Sequence, residues 1–249
     1  MVRQKIRIGT SGWHYSHWKG PYYPKDLGAD TFLEYYCRDF TTVEVNNTFY
    51  RLPSASTVSN WRDSTPKNFL FSVKMSRYVT HTKRLKAPKT SLRKFFSRID
   101  HFEEKLGIIL IQLPPNWKVN VDRLASFLDA LPQSYRYTFE FRDESWLCEK
   151  VLTLLKEHGC ALCLYEIAGK HTEEILTTDF TYIRLHGPGK AYQGSYSTRT
   201  LEKWAKNIQK WRRGGKEVFC YFDNDEKGFA PKNAMKLRDL LKNQQKRRR

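Results

Sequence analysis

Several short strand-like runs of this chain end in residues able to hold charge, move protons or grip an anion. In Val43-Glu44-Val45-Asn46 the two-residue strand period sets Glu44 and Asn46 on one face and the two valines on the other. The same alternation pairs Ser72 with Lys74, turns Gln112 inward from Leu110-Ile111-Gln112-Leu113, and pairs Glu140 with Arg142 and Arg184 with His186. In Tyr221-Phe222-Asp223-Asn224 the period leaves two options open: Tyr221 with Asp223 inward, or Phe222 with Asn224. Lys74, Arg142 and Arg184 are the cations that suit a phosphate or a carboxylate. Glu44 and Glu140 have the chemistry of a general acid and base, or of anchors for those cations. His186 has that of a proton shuttle near neutral pH. Glu44, Lys74, Glu140 and His186 are therefore the catalytic candidates. The competing reading is a self-satisfied network, Glu44 with Lys74 and Glu140 with Arg142 or Arg184, because buried polar groups are costly unless paired.

These residues must be held by strands that end together. Eight strand-like runs can be counted, 6–9, 41–45, 69–73, 107–113, 136–141, 160–166, 181–186 and 217–222. Segments with helical spacing lie between them, at 31–39, 54–63, 92–106, 121–131, 144–158, 198–213 and 230–244. Gly159 and the pair Gly214-Gly215 are helix stops. Strands alternating with helices make parallel β/α units, and eight units in 249 residues predict an α/β fold, a single (β/α)8 TIM-type barrel over residues 1–241. Catalytic groups of such a barrel sit at the C-terminal strand ends, where all the candidates fall. An open doubly wound sheet is the alternative. Against it, Gly9-Thr10-Ser11-Gly12 is followed by aromatics rather than by a phosphate-binding helix start.

The segments between strands add aromatic and basic character. Trp13, Tyr15, Trp18, Tyr22 and Tyr23 follow the first run, and Phe49 and Tyr50 the second, with Trp117, Trp146, Tyr192 and Tyr196 further on. Such rings either stack on bases or sugars or pack the loops down. Residues 74–99 carry nine lysines and arginines, Lys83, Arg84, Lys86 and Lys89 among them, and no acid. Over the whole chain 44 basic residues face 26 acidic ones, a net charge of +18, which favours polyanionic ligands. Residues 242–249 (KNQQKRRR) read as a short basic tail. Five cysteines, three of them in strand-like runs, do not make a disulfide framework. Cys160-x-x-Cys163 has metal spacing but sits in a strand, where residues three apart face opposite ways. The histidines are scattered, so neither a metal nor a cofactor is expected. No run approaches the roughly 20 apolar residues of a membrane span, and the N-terminus lacks a signal-peptide core, so a cytoplasmic protein is expected with neither a membrane nor an obligate protein partner.

The segments IGTSGWHYSHWKGPYYP, VEVNNTFYRLP, FSVKMSRYVTH, IQLPP, FEFRDESW, YIRLHG and YFDND, in this order, resemble the YecE-like family, domain of unknown function seventy-two. The resemblance runs from about Ile6 to Leu241 and implies a TIM-type barrel, without supplying an activity. It covers the catalytic candidates together with Trp13, Asn46, Phe49, Tyr50, His81, Gln112, Arg142, Trp146, Arg184, Tyr221 and Asn224, which become the substrate-binding candidates. Where the family commonly has Tyr-Phe-Asn-Asn, this chain has Asp223, which adds a negative charge. The expectation is an enzyme of open reaction class acting on a phosphate-bearing or nucleic-acid-related substrate. The alternatives are a non-catalytic nucleic-acid binder and a metal-dependent hydrolase or isomerase.

Overall fold

Two amphipathic helices of this chain open on a polar cap ahead of an apolar stripe. In the computed structural model, which describes residues 6–86 and 88–246, Asn120 accepts a hydrogen bond from the Arg123 amide (2.9 Å) and opens helix α5 (Val121–Asp129). Leu124, Phe127 and Leu128, spaced three and four apart, are its buried face. Ser197 does the same for α7 (Thr198–Arg213) by accepting from the Thr200 amide, and Leu201, Ala205, Ile208 and Trp211 go inside. Lys210, Arg212 and Arg213 sit in its last turn, where cations complement the helix dipole, and Gly215 (φ +83°) provides the left-handed exit. Each large apolar side chain so buried stabilises the fold by about 1.5–3 kcal/mol.

The remaining helices are α1 (Phe32–Tyr36), α2 (Asn47–Tyr50), α3 (Ala55–Asp63), α4 (Pro88–Ile99), α6 (Glu149–Glu157) and α8 (Phe229–Lys246). The strands are β1 (Ile6–Thr10), β2 (Thr42–Val45), β3 (Leu70–Lys74), β4 (Leu106–Gln112), β5 (Arg136–Glu140), β6 (Ala161–Ile167), the short β7 (Lys170–His171), β8 (Phe180–Leu185) and β9 (Glu217–Phe222). The sheet order is β1-β9-β8-β6-β5-β4-β3-β2, with β7 antiparallel on β6. Eight strands in this order, joined through helices except between β6 and β8, where the short β7 stands instead, are the fold class of a (β/α)8 TIM-type barrel. No helix among the described residues is long and apolar enough to cross a membrane.

All eight expected strands are present within a residue or two of their expected ends. The helices differ more. The expected helix 92–106 breaks at Ile99 and continues as a 3-10 segment, Asp100–Lys105, with Glu103 at φ +51°. The Lys105 ammonium explains the break. It donates to the Thr65 carbonyl (2.7 Å) and the Arg62 carbonyl (2.5 Å), closing the end of α3. The expected helix 144–158 starts at Glu149, because Asp143 accepts from the Ser145 amide and holds a separate 3-10 turn, Glu144–Trp146. Helix α8 runs to Lys246, so the first part of the expected basic tail is helical, and 247–249 lie outside the described residues.

By contacts the chain divides into two compact units. One comprises Met1–Val43, Leu164–Glu174 and Asp179–Arg249, the other Glu44–Cys163 and Ile175–Thr178. In the first unit β1, β9 and β8 pair in parallel, with Gly9 beside Tyr221 and Arg184 beside Tyr221. Gly9 has no room for a side chain, since a Cβ there would lie 2.3 Å from the Thr42 carbonyl oxygen. In the second unit β3, β4 and β5 pair in parallel, and the register sets Gln112 beside Glu140. Its core is Phe69, Phe71, Phe95 and Phe102 on one side of β3 and β4, and Leu124, Phe127 and Phe139 around β5.

Candidate active site

In the second unit the expected residues stand at strand ends. Lys74, Gln112 and Glu140 are the last residues of β3, β4 and β5, and Glu44 lies in β2. Glu44 and Glu140 are fully buried. The Arg142 guanidinium donates to the Glu140 carboxylate, so the expected pairing of these two residues is realised. The turn after β2 is a short helix, α2, that was not evident in the sequence. Thr48 builds it into the site by donating to the Lys74 carbonyl (2.7 Å). This places the Phe49 ring beneath the Lys74 ammonium, 4.2 Å from ring centre to Nζ.

His81 approaches the same ring from another side. It comes from a π-helical turn, Tyr78–Thr82, that follows β3, and its imidazole meets Phe49 edge to face at 5.0 Å. Such widened turns recur at functional sites. Beyond the turn Arg84 and Leu85 are both in the left-handed region (φ +45° and +64°), a strained pair held by the buried Leu85 side chain. The half-buried His81 ring is pushed from 6.5 down to about 4, by desolvation first and then by the Lys74 and Arg77 charges. It is therefore neutral at physiological pH. With the Thr80 hydroxyl donating to the Ser76 carbonyl (3.1 Å), the 2.9 Å contact between Thr80 Oγ1 and His81 Nδ1 is satisfied by a proton on Nδ1. Nε2 is then the basic nitrogen. The arrangement is an ammonium, a flat apolar ring and a neutral imidazole, which can hold an anion and accept a proton.

Not every candidate joins this group. Trp146 is fully buried, stacked on Phe141 (5.2 Å, 3° between planes), and donates Nε1 to the Trp117 carbonyl. It packs the interior of its unit. Tyr50 is its opposite, 80% exposed beside Phe49. Asn46 stands at the start of α2.

In the first unit Arg184, His186 and Asp223 form a buried cluster. Arg184 Nη2 donates to Asp223 Oδ2 (3.0 Å) and Ser11 Oγ (3.2 Å), and Nη1 lies 3.2 Å from His186 Nε2. A guanidinium only donates, so His186 Nε2 is an acceptor and its proton is on Nδ1, 2.8 Å from Asp223 Oδ2 though not well aligned on it. This decides the option left open at β9. Asp223 shares the face of Arg184, while Asn224 turns away to donate to the Gly194 carbonyl (2.7 Å) and Asn233 (2.9 Å). Tyr221 is buried with its hydroxyl 2.6 Å from Thr42 Oγ1, and Trp13 is also buried, its carbonyl accepting from Tyr23. Among the described residues no three His, Cys, Asp or Glu side chains gather in a way that could hold a metal ion.

The sequence reading missed the role of Thr80. The only signal was its place beside His81, and without the π turn that gives no reason to set the hydroxyl on Nδ1.

The family model for "Protein of unknown function DUF72" matches residues 7–249. The chain belongs to the DUF72 family. It is similar to the UPF0759 protein YunF of Bacillus subtilis, 27% identical across 95% of this chain and 94% of that one. It is 32% identical to the UPF0759 protein YecE of Escherichia coli K12 over 55% of this chain and 48% of that protein. Among solved structures, a DUF72 family protein of Thermotoga maritima superposes with a TM-score of 0.87 at 30% identity, covering 95% of this chain and 99% of the other. A DUF72 family protein of Enterococcus faecalis gives 0.82 at 19% identity, covering 95% of both, which speaks to the fold alone.

Proposed function

We propose that this DUF72 protein is an enzyme acting on a phosphate-bearing, nucleic-acid-related substrate, with its chemistry at the strand ends of the second unit. The observation that carries this reading is the Lys74–Phe49–His81 group. The ammonium supplies charge for a phosphate, the buried Phe49 ring beneath it fixes its position, and the neutral imidazole is a proton acceptor that needs no deprotonation first. Glu140, held by Arg142, and Glu44 are fully buried carboxylates of the same unit. The +18 net charge raises the local concentration of any polyanion.

In the first unit Arg184 donates to Asp223 and Ser11 and lies against His186, so we assign the three to holding the ends of β8 and β9 against Ser11. Proton transfer falls to His81 rather than to His186. Binding of a nucleoside monophosphate, measured by titration calorimetry, tests the reading. Lys74→Ala should weaken binding at least tenfold, and His81→Gln should remove any turnover found in a mass-spectrometric screen of nucleotides and oligonucleotides. Unchanged binding by Lys74→Ala would remove the site assignment.

A further inference from the structure

A groove of about 1740 Å³ opens in the second unit between the turns after β2 and β3 and the facing sides of α3 and α4. Phe49 lines it, so the groove starts at the ring that carries Lys74 and His81. From there Tyr50, Tyr78 and Lys83 line it near the strand ends, and Arg93, Lys94 and Arg98 line it along α4. Thr90, Lys94 and Arg98 are four residues apart, one face of the helix, and span about 12 Å along its axis. None of the described residues lining the groove is acidic. Thr57 on α3 and Thr90 and Ser91 on α4 add hydroxyls of the kind that contact phosphate oxygens.

The aromatic residues show what this charge is for. Exposing a large ring to water is unfavourable, and among the described residues three large hydrophobic side chains stand exposed. Two of them, Tyr50 at 80% and Tyr78 at 52%, line this groove. The Lys83 ammonium lies 5.5 Å from the centre of the Tyr78 ring. An acidic peptide or an anionic surface would meet the cations but brings no flat ring to stack on the exposed tyrosines. Unstacked bases do, and their phosphates follow at intervals that a line of cations can match. A duplex hides its base faces, which leaves a single strand.

We infer that the groove between α3 and α4 is a track for single-stranded nucleic acid, with Tyr50 and Tyr78 as stacking platforms and Lys83, Arg93, Lys94 and Arg98 on the phosphates. This rests on the proposed function in one respect: the track delivers a strand to the Lys74–His81 site. The track binds a strand whether or not chemistry follows.

Fluorescence anisotropy with a labelled dodecathymidylate, at several salt concentrations, tests it on the full chain. All the changed residues are surface or half-buried, and a thermal melt confirms that each variant is folded. The Tyr50→Ala/Tyr78→Ala pair should weaken binding at least tenfold at fixed salt. Arg93→Ala/Lys94→Ala should lower the slope of log K against log salt by about 1.4, two phosphate contacts on a single strand. The duplex of the same length should bind more weakly than the single strand. The inference is overturned if the tyrosine pair binds like wild type, if the slope is unchanged, or if duplex or polyglutamate binds as tightly as the single strand. Lys74→Ala separates the two readings. Strand binding that survives it while nucleoside monophosphate binding is lost supports both the track and the site. Strand binding lost only in Lys74→Ala and retained in all groove variants overturns the track and leaves the site standing.

Discussion

Thr80 sets the tautomer of His81. Its hydroxyl proton goes to the Ser76 carbonyl, so its oxygen, 2.9 Å from His81 Nδ1, takes the imidazole proton and leaves Nε2 basic. Nitrogen chemical shifts of the ring at pH 7 should show Nδ1 protonated and Nε2 bare. In Thr80→Val the preference should weaken, and a protonated Nε2 in the native protein would contradict the assignment.

The same histidine couples stability to acidity. In the folded chain it titrates at about 4, below the usual 6.5, because of burial and the Lys74 and Arg77 charges. Between those two values the unfolded chain binds the extra proton and the folded chain does not, so His81 makes stability fall as pH is lowered from about 6.5 to about 4. His81→Gln should flatten that part of the stability curve, measured by urea midpoints at pH 7, 6, 5 and 4. An unchanged slope would mean that the ring titrates normally.

The Arg184 cluster is a buried ion network, and its parts are unequal. Asp223→Ala leaves a guanidinium that is 1% exposed without its carboxylate, and should cost about 3–5 kcal/mol of stability. Asp223→Asn keeps an acceptor for Arg184, and should cost less. Urea denaturation of the two variants gives the order.

Gly187, which follows His186, has φ +116°, and a Cβ there would lie 2.4 Å from the Gln193 carbonyl oxygen. Its amide donates to the Tyr196 hydroxyl. Gly187→Ala should therefore destabilise the protein by more than about 1 kcal/mol. A melting temperature equal to wild type would show that the loop gives way freely.

Cysteine reactivity should divide by burial. Cys160 is pushed up to about 12 and Cys220 is raised further, both by desolvation, and Cys163 is also buried. Cys37 and Cys148 are half-buried. Alkylation at pH 8 in the native state, followed by peptide mass spectrometry, should label the last two first.

The strands were legible because period-two alternation survives in each, and Lys74, Gln112 and Glu140 could be placed at strand ends from that alone. Same-face pairs within a strand were equally readable, and Glu140–Arg142 and Arg184–His186 are in contact. What was not legible depends on turns. Asp223 and Asn224 differ by one residue of register beyond the end of β9, where alternation has no further residues to anchor it. Trp146 falls at the start of the expected helix 144–158, yet Asp143 holds Glu144–Trp146 as a separate turn and the ring is buried. His81 was within the family pattern, but its approach to Phe49 depends on a π turn that leaves no periodic trace.

A phosphate group held beside Lys74 and His81 is the central claim. The most direct measurement is the His81 titration midpoint by NMR, with and without saturating inorganic phosphate, in wild type and Lys74→Ala. A phosphate in contact range should raise the midpoint from about 4 by one unit or more in wild type. In Lys74→Ala the free midpoint should already be higher and should move less on adding phosphate. A midpoint that stays at about 4 in wild type under saturating phosphate would contradict the account.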